Sequence, residues 1–175
     1  MCAYDSTRVR TFKLEDDGRI PNNPTFPVLL YPGAIALGGD PAERCRTQVE
    51  ANGWGGTWLD GVFGYHHYHS NSHEFLGIVG GSATLALGGP NGVQVEVRAG
   101  DAVVLPAGTG HKRLTASSDF RVIGAYPGGM SYDMNTGEPG ERPHVLANIR
   151  RVDMPEADPL FGPDGPLRAL WSAST

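Results

Sequence analysis

The chain has 175 residues, 39% of them hydrophobic, and a net charge of −5. That length buries one core, so it suits one domain with extensions, and an acidic balance with no basic patch argues against a nucleic-acid binder that neutralises phosphates. No apolar run approaches the roughly 18 residues of a membrane helix, so neither nucleic acid nor membrane is an expected partner.

The first 21 residues, MCAYDSTRVRTFKLEDDGRIP, hold no apolar stretch of the kind a secretory signal needs. The expected location is the cytoplasm, with Cys2 and Cys45 as free thiols rather than a disulfide. Residues 1–24 read as an N-terminal extension, 25–150 as a single all-β barrel domain and 151–175 as a C-terminal tail. TFPVLLY, residues 25–31, reads as an early strand. Asp40, Pro41 and Glu43 then supply an N-cap, a proline at the first helical position and the acidic member of a capping box. They predict a helix over about 41–52, ended by Gly53 in a left-handed cap.

Short strands follow, separated by glycine and proline: GVFGYHHYH, EFLGIVGG and SATLALGG as a hairpin about Gly80 and Gly81, GVQVEVRAG, DAVVLP, HKRLTA and DFRVIGAYP. In the fourth of these segments Val93, Val95 and Val97 share one face and Gln94, Glu96 and Arg98 the other. Turns every 8–12 residues, with no crossover helix between strands, indicate an antiparallel sandwich or barrel. Residues 127–143 form a long loop, read either as a lid or as a surface or interface segment. The tail carries Leu160, Phe161, Leu167, Leu170 and Trp171, too apolar for a free end, and is expected to pack on the barrel or on a partner subunit.

Four of the six histidines lie between 66 and 73. Side chains two apart in a strand project from one face, so His67 and His69 point together and their imidazoles can converge on one ion. His66 and Tyr68 point the other way. SNSH, residues 70–73, reads as a turn that lets Glu74 swing back toward the pair, with His73 beside it as a turn residue or an alternative ligand. His111, after the tight turn of Pro106 and Gly108, supplies a third nitrogen if its strand lies beside the first. Three nitrogens and one oxygen leave two positions of an octahedron open and suit Fe, Mn, Ni, Co or Zn as a divalent cofactor. The alternative is a set of hydrogen-bonded histidines lining the barrel without metal. Tyr65, Arg113 and Tyr126 are candidates for the substrate-binding wall, Arg113 as a bidentate partner for a carboxylate. His144 reads as a surface residue. Trp54, Trp58 and Trp171 read as core or interface anchors.

The spacing Gly61-x5-His67-x-His69-x4-Glu74-x6-Gly81, followed by Gly100-x5-Pro106-x-Gly108-x2-His111, resembles the two motifs of the cupin superfamily. The second motif commonly ends in Asn four residues after its histidine, where this chain has Thr115. The match spans about residues 57–126. DDGRIPNNPTFPVLLY and GAYPGGMSYDMNTGEPGERP, outside it, are similar to a bacterial subgroup, the YjlB-like cupins. The resemblance implies a jelly-roll barrel of the double-stranded β-helix type, often a homodimer, with His67, His69, Glu74 and His111 as metal ligands. It does not imply one reaction. A metal-dependent enzyme, acting as a dioxygenase, isomerase or decarboxylase on a small oxygenated or carboxylate-bearing molecule, is the first expectation. A non-catalytic small-molecule binder or sensor, with a structural metal or none, is the second.

Overall fold

A computed structural model describes residues 4–175; Cys2 lies outside the described residues. In chain order the elements are β1 (Arg10–Phe12), β2 (Val28–Tyr31), α1 (Pro41–Ala51), β3 (Trp54–Asp60), β4 (Glu74–Gly80), β5 (Ser82–Leu87), β6 (Val93–Arg98), β7 (Ala102–Leu105), β8 (His111–Ala116), β9 (Arg121–Pro127), α2 (His144–Arg151) and α3 (Pro166–Ser172). The strands form a six-stranded sheet in the order β1-β2-β7-β4-β9-β3 and a three-stranded sheet in the order β6-β5-β8. All pairings are antiparallel. This is the jelly roll of the cupin fold. No helix of the described residues is long and apolar enough to cross a membrane.

Strands β2 and β7 of the large sheet are buried on both faces, which explains why VLLY and AVVL are continuous apolar runs rather than alternating ones. Val28, Leu30, Val103 and Leu105 point into the space between the sheets, where they meet Leu76, Ile78, Leu85 and Val95. Leu29, Tyr31, Ala102 and Val104 point the other way, against Val49, Trp54, Leu167 and Trp171. The small sheet is wet on its outer face. In β6, Val95 and Val97 are buried while Gln94, Glu96 and Arg98 are exposed, the period-two pattern of its sequence.

α1 begins at Asp40, whose side chain accepts from the Glu43 amide at 3.1 Å. The return half of the capping box is not made, because the Glu43 carboxylate pairs with Arg46 instead. Gly53 follows the helix with φ of 82°.

Two expectations are corrected. β4 and β5 are not a hairpin. The chain crosses from the large sheet to the small one at Gly81, and β5 pairs with β6 and β8. Gly81 has φ of 66°, and a Cβ there would stand 2.4 Å from Ser117 Oγ, so only glycine makes this crossing. The tight hairpin is β5–β6. Likewise, residues 61–69 are not a regular strand. They run extended beside β8 and are tied by single bridges, His67 to His111 and Tyr68 to Asn135.

The tail returns to the barrel. Leu160, Leu167 and Trp171 are buried in the outer core of the large sheet, and Trp171 Nε1 donates to the Pro27 carbonyl at 3.0 Å. Asp158 pins it: fully buried, it accepts from Tyr31 Oη at 2.7 Å and from the amides of Leu160, Phe161 and Leu167 at 2.9, 3.0 and 3.0 Å.

Candidate metal centre

His67 and His111 exchange both backbone hydrogen bonds, at 3.2 and 2.9 Å, and the Gly108 amide donates to the His69 carbonyl at 2.7 Å. These bonds place the third histidine directly beside the first two. The approach needs glycine at 108: φ there is 91°, and a Cβ would meet the Asn22 carbonyl oxygen at 2.6 Å. Glu74 opens β4 on the facing sheet. The three imidazoles bring their ring nitrogens within 4.8 Å of one another. His67, His69, His111 and Glu74 are each 3–4% exposed.

The tautomers follow from the partners. Nδ1 of His67 lies 3.1 Å from the Tyr65 carbonyl, Nδ1 of His69 lies 2.6 Å from the Asp133 carbonyl, and Nδ1 of His111 lies 3.0 Å from the Thr109 carbonyl. A carbonyl only accepts, so each Nδ1 carries a proton and each Nε2 is the ring nitrogen left for the site. Glu74 Oε2 lies 3.1 Å from His69 Nε2 and 3.2 Å from His111 Nε2. Neither approach has hydrogen-bond geometry, and Oε2 is a buried oxygen without a partner.

Charge follows the same pattern. Burial and the neighbouring His111 push the His67 imidazole down to about 3. Burial also works against a charged His69, but the Glu74 carboxylate outweighs it and the His69 value rises. Burial opposes ionisation of Glu74, yet His111 and His69 hold its carboxyl well below the usual carboxylate range. An ionised, buried carboxylate oxygen therefore faces the Nε2 atoms of His69 and His111 with no hydrogen bond to either, and His67 stands beside them. Only a proton on an Nε2 or a cation at the shared point relieves that arrangement. The donor set of three imidazole nitrogens and one carboxylate oxygen fits a divalent transition metal, and Nδ1–H bonds to carbonyls are the usual way that metal-binding histidines are oriented.

The four groups form the floor of a cavity of about 500 Å³ between the sheets. Trp58, Leu76 and Tyr126 wall it, and Phe63, Tyr132 and Met134, each about half-exposed, stand at its mouth. Arg113 lines it too, lying over Gly64 and taking part in none of the ion pairs. Tyr126 donates to Glu74 Oε1 at 3.2 Å and accepts from Trp58 Nε1 at 2.9 Å. Burial and then the Glu74 carboxylate raise its phenol well above the ordinary value, so the hydroxyl keeps its proton.

The remaining candidates are placed as follows. Tyr65 does not line this cavity. It is half-exposed outside it, stacked on Phe63 at 5.1 Å, and Phe63 rather than Tyr65 stands at the cavity. His66 is partly buried away from this cavity, beside Tyr65, with its Nδ1 buried and unpaired among the described residues. His73 is fully buried and structural: its Nδ1 accepts from the Ala107 amide at 2.9 Å and its Nε2 meets the Asp153 carbonyl at 2.9 Å, which fixes the turn before His111. His144 is exposed at the start of α2.

Sequence reasoning missed Asp133. Its carbonyl holds His69, and its carboxylate accepts from the Ser70 amide at 2.6 Å and from the Ser70 hydroxyl. The 128–138 loop thus lies over the site, with Tyr132 stacked on Tyr126 at 4.3 Å and edge-on to His69 at 4.7 Å. Trp58 was also missed as a wall of the site. Its signal is Gly124, a glycine inside an apolar strand: a Cβ there would stand 2.0 Å from the Trp58 ring.

Residues 60–123 match the family described as Cupin domain. The uncharacterized protein YjlB of Bacillus subtilis (strain 168) is 46% identical over 162 residues, 93% of this chain and 96% of that protein. Solved structures similar to this chain include procruciferin, an 11S globulin from Brassica napus, at 17% identity and TM-score 0.39, covering 55% of this chain and 27% of that one. Acireductone dioxygenase from Bacillus anthracis, with a cadmium ion in its active center, is 18% identical with a TM-score of 0.34, over 54% of this chain and 58% of that one. The dTDP-6-deoxy-D-glucose-3,5-epimerase of Legionella pneumophila Philadelphia 1 is 12% identical with a TM-score of 0.39, over 67% and 71%. The chain thus spans about a quarter of the globulin and just over half of the dioxygenase.

Proposed function

The chain belongs to the cupin family, and from that premise we propose that His67, His69, Glu74 and His111 hold a divalent transition metal in an enzyme for a small, oxygenated, carboxylate-bearing molecule. One observation carries the reading. All three histidines direct Nδ1 at a backbone carbonyl, so their Nε2 atoms are left for the site, and those of His69 and His111 stand 3.1 and 3.2 Å from a buried Glu74 oxygen that has no hydrogen-bond donor. Iron, manganese, nickel, cobalt and zinc all accept such donors. When bound, the ion supplies Lewis acidity or, as iron, redox chemistry to a molecule in the cavity.

The chain's own residues do the rest. Arg113 offers a planar, two-pronged donor to a carboxylate at the cavity wall. Phe63, Tyr132 and Met134 narrow the mouth and exclude water. Tyr126 keeps a proton at its hydroxyl and directs it at Glu74. Dioxygenase, isomerase and decarboxylase chemistry all suit this frame, and the metal decides among them.

The test is metal analysis of protein purified without chelator, followed by a screen of small 2-oxo and 2-hydroxy acids for turnover. The expected result is stoichiometric metal in the native protein and trace metal in His67→Ala and His111→Ala. Activity that survives both substitutions overturns the mechanism. A closed four-ligand site with no exchangeable water and no turnover favours the non-catalytic binder instead.

A further inference from the structure

Glu74 has two oxygens, and the protein treats them differently. Oε2 faces the histidines without a donor, while Oε1 accepts the Tyr126 hydroxyl at 3.2 Å. An ionised carboxylate only accepts, so the phenol donates. Trp58 Nε1 has a proton and no lone pair to offer, so at 2.9 Å from Tyr126 Oη it is the donor. The indole thereby fixes where the phenol oxygen stands while its proton goes to Glu74. We propose that Trp58 and Tyr126 are a positioning pair that engages Oε1 and so biases Glu74 toward a one-oxygen hold on the ion, keeping a second coordination position open for substrate. The inference rests on the metal reading above.

The backbone is built around this relay. The β4–β9 register pairs Phe75 with Ala125, which sets Glu74 beside Tyr126. On the other side of β9, the ladder to β3 is broken between Gly55 and Trp58, and the irregularity brings Trp58 opposite Gly124. Bulges of this kind re-aim side chains beside functional sites. Gly124 leaves the room that the indole fills, since a Cβ there would overlap it at 2.0–2.4 Å. The indole nitrogen thus arrives at the phenol by three coordinated features: a register, a strand irregularity and a glycine. A carboxylate binds a divalent ion through one oxygen or two. A donor fixed on Oε1 opposes the two-oxygen mode, and an octahedral ion with four protein donors then retains two positions for water or substrate.

The experiment uses the full chain, freed of metal and reloaded with Mn(II), with bound metal counted and inner-sphere water read by water-proton relaxation. Native protein that takes up no Mn(II) would refute the metal reading itself, a different failure from the ones that follow. Tyr126→Phe removes the donor and keeps the ring. It should bind metal and lose one of two inner-sphere waters, about a twofold drop in the inner-sphere relaxation. Trp58→Phe should move the signal the same way by less. Tyr31→Phe, which also deletes a buried hydroxyl-to-carboxylate bond but on the far face of the sheet, should leave the water count at the native value. Unchanged relaxation in metal-loaded Tyr126→Phe overturns the proposal, as does a folded Tyr126→Phe that binds no metal. If Tyr126→Phe does not fold, Trp58→Phe decides: a partial loss supports the pair, and native relaxation overturns it.

Discussion

The large sheet carries a buried carboxylate on each face, and each meets a tyrosine hydroxyl. On the outer face Asp158 accepts from Tyr31 and from three backbone amides, so both its oxygens are satisfied by neutral donors. On the inner face Glu74 accepts from Tyr126 alone, and its second oxygen faces the His69 and His111 nitrogens with no hydrogen bond to either. Both groups are at most 3% exposed. Burial therefore does not separate them, but counting donors does. The saturated carboxylate holds the tail to the barrel, and the half-satisfied one is the ligand of the proposed metal.

The contrast can be broken in four places. Asp158→Ala should cost the most, about 3–5 kcal/mol, because it strands the Tyr31 hydroxyl and three amides in the core. Urea unfolding of the metal-free protein measures it, and metal stoichiometry in the folded fraction should not change. Glu74→Gln should do the reverse. It should weaken metal affinity by about 100-fold, or roughly 2.7 kcal/mol, while metal-free stability moves by less than about 1 kcal/mol; competition against a chelator and a urea melt read the two effects separately. If Glu74→Gln instead costs as much stability as Asp158→Ala, the two carboxylates are alike and the contrast fails. Gly124→Ala, which drives a methyl into the Trp58 ring, should destabilise by about 1–3 kcal/mol and alter the near-ultraviolet signal of the indole. Tyr31→Phe should be the mildest, about 1 kcal/mol, since Asp158 keeps three of its donors.

Much of the architecture was readable from residue pattern. The alternation of Val93, Val95 and Val97 gave a one-sided strand, and the runs VLLY and AVVL, buried on both faces, sit in the middle of the large sheet. The supposed hairpin at Gly80 and Gly81 was misread because a paired glycine marks a sharp change of direction without saying whether the chain folds back or crosses to another sheet. α2 and α3 escaped notice for a physical reason: they span eight and seven residues, and neither has a side-chain N-cap. At the site, the spacing of His67, His69, Glu74 and His111 carried the juxtaposition. The groups that orient the imidazoles are backbone carbonyls, which any residue supplies, and the one that serves His69 lies 64 positions away. No local pattern reports such a partner.

Asp133 ties together the roof of the chamber and the aim of one of its rings. The segment that roofs the chamber also provides the oxygen that steadies one imidazole, so lifting the roof far enough to move that oxygen lets the ring swing. Access to the chamber and the set of the His69 ring are thus coupled through one backbone oxygen.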